Sequence, residues 1–306
     1  MMRTDRLLLA FFLLSVTPVF AGKSPGRTLV NTTTQQKTSS ADCDPPTAQT
    51  DLDVNNVRTR LMNGGDMWWD LNVERYEIPK NSNKHSMFAG SLWIGGFDSG
   101  KQLKVAAQTY RQNGTDFWPG PLSANGSTDQ ATCKEWDTHF KINRSVVEQF
   151  VEDYNNSPGT SIPDVIANWP AHGNTANGED YYMAPFTDVD GNGSYDPSAG
   201  DYPGFDIDGT QGCDAGLFGD QAIWWVFNDR GNIHTETGAE PIGLEIHAQA
   251  FGFATNDEIN NMTFYRYKII NRSSFRLDST YFGQWADPDL GNRLDDYVGC
   301  DVGRGL

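Results

Sequence analysis

The chain has 306 residues, 38% of them apolar, and carries 40 Asp and Glu against 23 Lys and Arg, a net charge of −17. That apolar share suffices for a packed core and excludes wholesale disorder. The charge excludes nucleic acid and anionic lipid as partners, since both are held through Lys and Arg.

The N-terminus reads as a cleavable export signal. Arg3 and Arg6 supply the positive start, Leu7 to Val16 the apolar run, and Val19, Phe20 and Ala21 a cleavage site after which Gly22 begins the mature chain. The run is shorter than the ~20 residues needed to cross a bilayer. No later stretch is long and apolar enough either, so an integral membrane protein is not expected and the location is extracellular or at the cell surface. Residues 22–53 are rich in Thr, Ser, Gln and Asp without apolar periodicity and read as a flexible leader. A β-rich domain is expected over 54–306.

Within it, Met87 to Tyr110 reads as a hairpin turning at Asp98, Ser99 and Gly100. A helix is expected from a capping box at Ser145 and Glu148, with Val147, Phe150, Val151 and Tyr154 on one face. A shorter helical turn is expected between Ile162 and Trp169. Residues 171–219 show no periodicity, an unusual length of loop for a compact domain. Four strands follow: Gln221 to Asn228, Leu244 to Phe253, Met262 to Asn271 and Ser279 to Ala286. In the third, Tyr265, Tyr267 and Ile269 alternate with Arg266 and Lys268, and it is expected to be central. Strands in tandem with few helices give the fold class: mainly β, an antiparallel β-sandwich with long acidic loops and one or two short helices.

The long loop contains the sharpest chemical pattern. Asp188, Asp190, Asn192, Ser194 and Asp196 place an oxygen at every second residue, and Gly193 stands six residues in, where a calcium loop turns sharply. The bidentate Glu of an EF-hand is replaced by Ala199, and Asp201 is its substitute. The expectation is one calcium ion outside an EF-hand; the competing reading is a solvated turn, because Asp, Asn and Gly all form turns. A second metal cluster is read in Asp287, Asp289, Asp295, Asp296 and Asp301, whose mutual repulsion calls for a cation or for Arg293. Asp206 and Asp208 are too few to count.

Cys43, Cys133, Cys213 and Cys300 form an even set, which in an exported protein points to disulfides in one of three pairings; free thiols are the alternative. Nothing catalytic emerges: five scattered His, no His-Glu-x-x-His, no Gly-x-Ser-x-Gly, no phosphate-binding loop. Adjacent Trp224 and Trp225 point to opposite faces of a strand, and tryptophans read as core filler sooner than as a sugar platform.

Six segments carry a resemblance: GGDMWW (64–69), FAGSLWIGG (88–96), FWPGPL (117–122), WPAHG (169–173), GDQAIWWVFND (219–229) and DDYVGCD (295–301). They resemble the N-terminal region of large secreted Bacteroidota proteins that commonly carry a C-terminal type IX secretion sorting domain. The resemblance covers nearly everything after Val54 and implies export across the outer membrane, then surface attachment or release; it implies no reaction. Such relatives continue into further modules, so this chain is read as truncated at its C-terminus. The expected function is a secreted, calcium-stabilised structural or adhesive module without enzymatic activity, with a glycan or cell-surface partner. The alternative is a carbohydrate-active protein, either a glycan-binding module or a glycoside hydrolase.

Overall fold

The computed structural model describes residues 41–206, 219–291, 294–297 and 299–304. The expected signal peptide, most of the expected leader, Asp208, Cys213 and Arg293 lie outside the described residues.

The first sheet is built by β1 (Gln49–Leu52), β2 (Arg58–Met62), β3 (Asp66–Met67), β4 (Tyr76–Glu77), β5 (His85–Phe97) and β6 (Leu103–Ala106). Then come β7 (Trp118–Pro119), α1 (Gln130–Glu135), β8 (Phe140–Asn143), α2 (Arg144–Asn156), α3 (Asp164–Ala167), β9 (Phe186–Thr187) and β10 (Tyr202–Pro203). The chain closes with β11 (Gln221–Asn228), β12 (Leu244–Gly252), β13 (Phe264–Asn271) and β14 (Asp278–Pro288). All pairings between strands are antiparallel. In the first sheet β5 is the spine, with β3, β4 and β6 on one edge and β14 along the other. The second sheet runs β13, β12, β11, with β7 and β8 sharing the far edge of β11.

The two sheets face each other as a sandwich. Leu52, Leu61, Met67, Leu92 and Ile94 of the first meet Ile223, Trp225, Phe227, Ile246 and Ala248 of the second. A second core lies on the opposite face of β11, where Ala222, Trp224 and Val226 meet Val147 and Phe150 of α2, Ile166 and Trp169. Both adjacent tryptophans are therefore buried, one in each core. Every residue of β11 is buried, which explains its unbroken apolar run: a strand covered on both faces has no solvent side to make polar.

Several expectations need correction. The strand with the cleanest alternation, β13, is not central; it is the outermost strand of its sheet, and Tyr265, Tyr267 and Ile269 are half-buried side chains packed against the core. Alternation marks a half-covered strand, not an interior one. Residues 41–53 belong to the fold and not to a leader: β1 pairs with β2, and buried Cys43 is disulfide-bonded to Cys133 of α1. Cys300 is free and exposed. The Ser145 capping box does not form. α2 starts straight after β8 with Asn143 at its cap position, and the Asn143 side-chain oxygen accepts from Gln221 and makes no cap bond. The turn expected between Ile162 and Trp169 contracts to α3. Among the described residues no helix is long and apolar enough to cross a membrane.

Candidate metal centre

The long loop is closed on itself. β9 and β10 pair, Thr187 with Tyr202 and Phe186 with Pro203, so the acidic stretch 188–201 is the connection of a small antiparallel ribbon. Aromatic groups seat this ribbon on the second core: Phe186, Tyr195 and Tyr202 pack there, and the Tyr195 hydroxyl donates to Ile166 O at 2.8 Å. His172 fixes the near side. Its Nε2 accepts from Tyr195 N at 2.7 Å, so the 3.0 Å contact of Nδ1 with Tyr181 O is made by a protonated Nδ1, which leaves the ring neutral. Gly200 passes over Tyr154 in a left-handed conformation (φ 102°), where a β-carbon would sit 2.6 Å from the ring. No other residue fits there.

Asp188 organises the turn. Its carboxylate accepts from the backbone N–H of Gly191 at 2.8 Å, Asn192 at 3.2 Å and Gly193 at 2.7 Å. Gly193 donates from a left-handed conformation (φ 79°), the sharp turn its position in the sequence called for. These donors, Gly193 first, hold the Asp188 carboxyl below the usual range and keep it ionised. Asp190 accepts from Asn192 N and Nδ2. Asp201, wholly buried, crosses the base of the loop: one oxygen takes Val189 N and the other Asp196 N, each at 2.8 Å. Asp188, Asp190 and Asp201 each bring an oxygen within 4.8 Å of the others.

The other three expected ligands are placed differently. The Asn192 side-chain oxygen accepts from Ser194 N at 2.6 Å, and the Ser194 hydroxyl accepts from Tyr181 at 3.2 Å. Asp196 turns to Ser198, accepting from its N at 2.9 Å and its hydroxyl at 2.6 Å, and caps the turn Pro197–Ala199. The Ser198 contacts lower its pKa. Calcium takes six to eight oxygens in flexible geometry, of which these three carboxylates would supply part.

Among the described residues, no three of Asp287, Asp289, Asp295, Asp296 and Asp301 come together in this way. Asp287 accepts from the Tyr110 hydroxyl at 2.6 Å; burial and that carboxylate push the Tyr110 pKa up to about 12. Asp296 accepts from Leu290 N, and exposed Asp301 pairs with Arg304 at 3.3 Å.

Polar groups that no sequence pattern flagged are buried elsewhere. Glu245 accepts from His247 at 2.8 Å and from Arg272 at 2.9 Å; burial raises its pKa, but these partners outweigh it and lower the net value. Asp229 lies wholly inside and takes the N–H groups of Ile242, Gly243 and Leu244, and burial raises its pKa. These carboxylates tie the ends of strands together. No family model, no curated protein and no solved structure matches this chain.

Proposed function

We propose that the protein is an exported structural or adhesive module, without enzymatic activity, whose long acidic loop is stabilised by calcium. The observation that carries this reading is the convergence of Asp188, Asp190 and Asp201 at the base of a loop seated on the second core. Three carboxylates so close repel one another unless a cation lies among them. The buried Cys43–Cys133 disulfide supports an oxidising compartment outside the cytoplasm, in keeping with cleavage before Gly22. Attachment to a cell surface, after type IX export in a Bacteroidota host, belongs to the same proposal and rests on the motif resemblance.

Calorimetric titration of calcium into the purified chain, with melting curves in calcium and in chelator, tests the site. Binding to the native state at a hundredfold excess over Kd adds ~2.7 kcal/mol, so chelation should lower Tm and admit protease between residues 184 and 206. No calcium uptake together with a melt indifferent to chelator would overturn the site and leave a solvated loop.

One observation favours the carbohydrate reading. Trp93 and Trp285 lie with their rings 2° from parallel and their centroids 6.1 Å apart on the outer face of the first sheet, and Trp93 is 38% exposed. A part-exposed indole beside a parallel one suits sugar stacking. A glycan array and a hydrolysis screen, each run with and without calcium, separate the two readings. Retention that disappears in Trp93→Ala would favour the glycan platform.

A further inference from the structure

The edges of the two sheets are guarded unequally. An open edge strand offers unpaired N–H and C=O groups, and proteins blunt it with short length, charge, bulges or cover. At the far end of the first sheet β1 has four residues, and the outermost strand of the second, β13, carries Arg266 and Lys268. β14 is eleven residues long, and among the described residues β5 is its one strand partner, so its other edge is open. A register shift between Asp278 and Tyr281 disturbs its start, and Pro288 stands at its end. Between them Tyr281–Asp287 pairs with β5 in unbroken register and carries one charge, that of Asp287.

Both faces of this run are exposed as well. Neighbouring side chains point to opposite faces of a strand, yet Tyr281 and Phe282 are 77% and 59% exposed. Phe282 pairs with Ile94, whose side chain lies in the sandwich core, so Phe282 is on the inward face. Its exposure means that the second sheet stops short of β14.

We propose that β14 joins two copies of this chain: the open edges pair antiparallel about a twofold axis at Gln284 and make the two first sheets continuous. A twofold sets one surface against itself, so the strand must suit its own copy. Only alternate residues turn their N–H and C=O outward, so one residue must face itself across the axis. The register about Gln284 is the one that pairs the whole run. It sets Trp285 opposite Gly283, Phe282 opposite Ala286 and Asp287 opposite Tyr281. Large side chains meet small ones, and the one charge meets a neutral phenol. Gly283 already has Trp93 across from it on β5, so Trp285 of the second copy would fill the gap beside Gly283 on that same face. A foreign strand would have to reproduce this order of large and small; a second copy supplies it. Main-chain hydrogen bonds then give the affinity. The interface is small, so the dimer should be weak. Each copy carries a charge of −17, so pairing should tighten as salt screens the repulsion. The proposal rests neither on the calcium loop nor on export.

The test is sedimentation velocity of the full chain over a series of concentrations, at low and at high salt. The expected result is a monomer–dimer equilibrium that stops at the dimer. Tyr281→Asp sets like charges opposite Asp287 twice in each dimer and should raise the dissociation constant about tenfold. Tyr281→Lys sets an opposite charge there and should leave the dimer as tight or tighter. Circular dichroism melts confirm that both exposed-site variants are folded. Equal weakening by Asp and Lys would overturn the proposed register and with it the proposal, as would a dimer indifferent to Tyr281→Asp or assembly beyond the dimer. A chain that stays monomeric at every concentration would also overturn it, and leave the edge to a strand of another protein.

Discussion

Two stretches of the chain have nearly the same composition and opposite fates. The loop 188–201 and the tail 287–301 are both dense in Asp, Gly and Asn. In the loop the chain is clamped by β9 and β10, seated by Tyr195 and His172, and closed below by a wholly buried Asp201. In the tail Asp287, Asp296 and Asp301 point to separate partners, and Leu290, Leu294 and Tyr297 are 69%, 84% and 97% exposed. Carboxylate density is therefore a poor guide to whether acids converge in the fold. What separates the two regions is closure: a ribbon that returns on itself and a floor that forces the acids together.

Removing the floor tests this most severely. Asp201→Ala leaves Val189 N and Asp196 N without their acceptor, a loss of about 2–3 kcal/mol if each is worth ~1–1.5, before any calcium is added. Urea denaturation should show it as a lower midpoint, and the calcium response should vanish with it. An unchanged midpoint would mean that the ribbon, and not Asp201, holds the loop.

Next in size is the calcium response itself. Asp190→Ala should cost little in chelator, since exposed Asp190 bonds to Asn192 within the loop, but should erase the gain of ~2.7 kcal/mol at a hundredfold excess over Kd. Asp301→Ala should keep that gain. If both variants lose it, the tail takes part and the contrast fails.

Acid gives a smaller effect of fixed sign. The folded pKa of Asp188 lies below its unfolded value of ~3.9. Its stabilising contribution is complete above that value and is lost as pH falls through the lower, folded one. Protection of the Gly193 amide from hydrogen exchange, relative to its intrinsic rate, should hold in calcium-free protein down to about pH 4 and fall below it. Asp188→Asn should flatten that dependence. The smallest effect belongs to the tail: Asp296→Ala should move the denaturation midpoint by less than ~0.5 kcal/mol, as exposed substitutions usually do.

The sequence made the sandwich legible because period and composition are local. Gln221 to Asn228 carried its burial in an unbroken apolar run, and Asp188 to Asp196 carried its turn in alternating oxygens around Gly193. What was illegible is long-range. Nothing near Tyr267 says that its strand lies at a sheet edge. Nothing near Cys43 says that its partner is 90 residues away in α1, or that β1 precedes the expected domain start. Asp196 was read as a ligand from spacing, but a nearby Ser198 N–H offered it a shorter errand as a cap.

The pairing of β5 with β14 has a consequence in time. Gln284 reaches Ser91 O across 193 positions of the chain, so the first sheet is complete only when β14 has been made. At ~5–20 residues per second of synthesis, that interval is on the order of 10–40 s. Through it, one edge of a thirteen-residue strand stands open, offering unpaired N–H and C=O groups to any extended chain nearby. Sheets closed by such distant contacts also fold slowly once complete. The nascent molecule thus has a long unfolded lifetime, in which a holdase that masks residues 85–97 would decide between yield and aggregation.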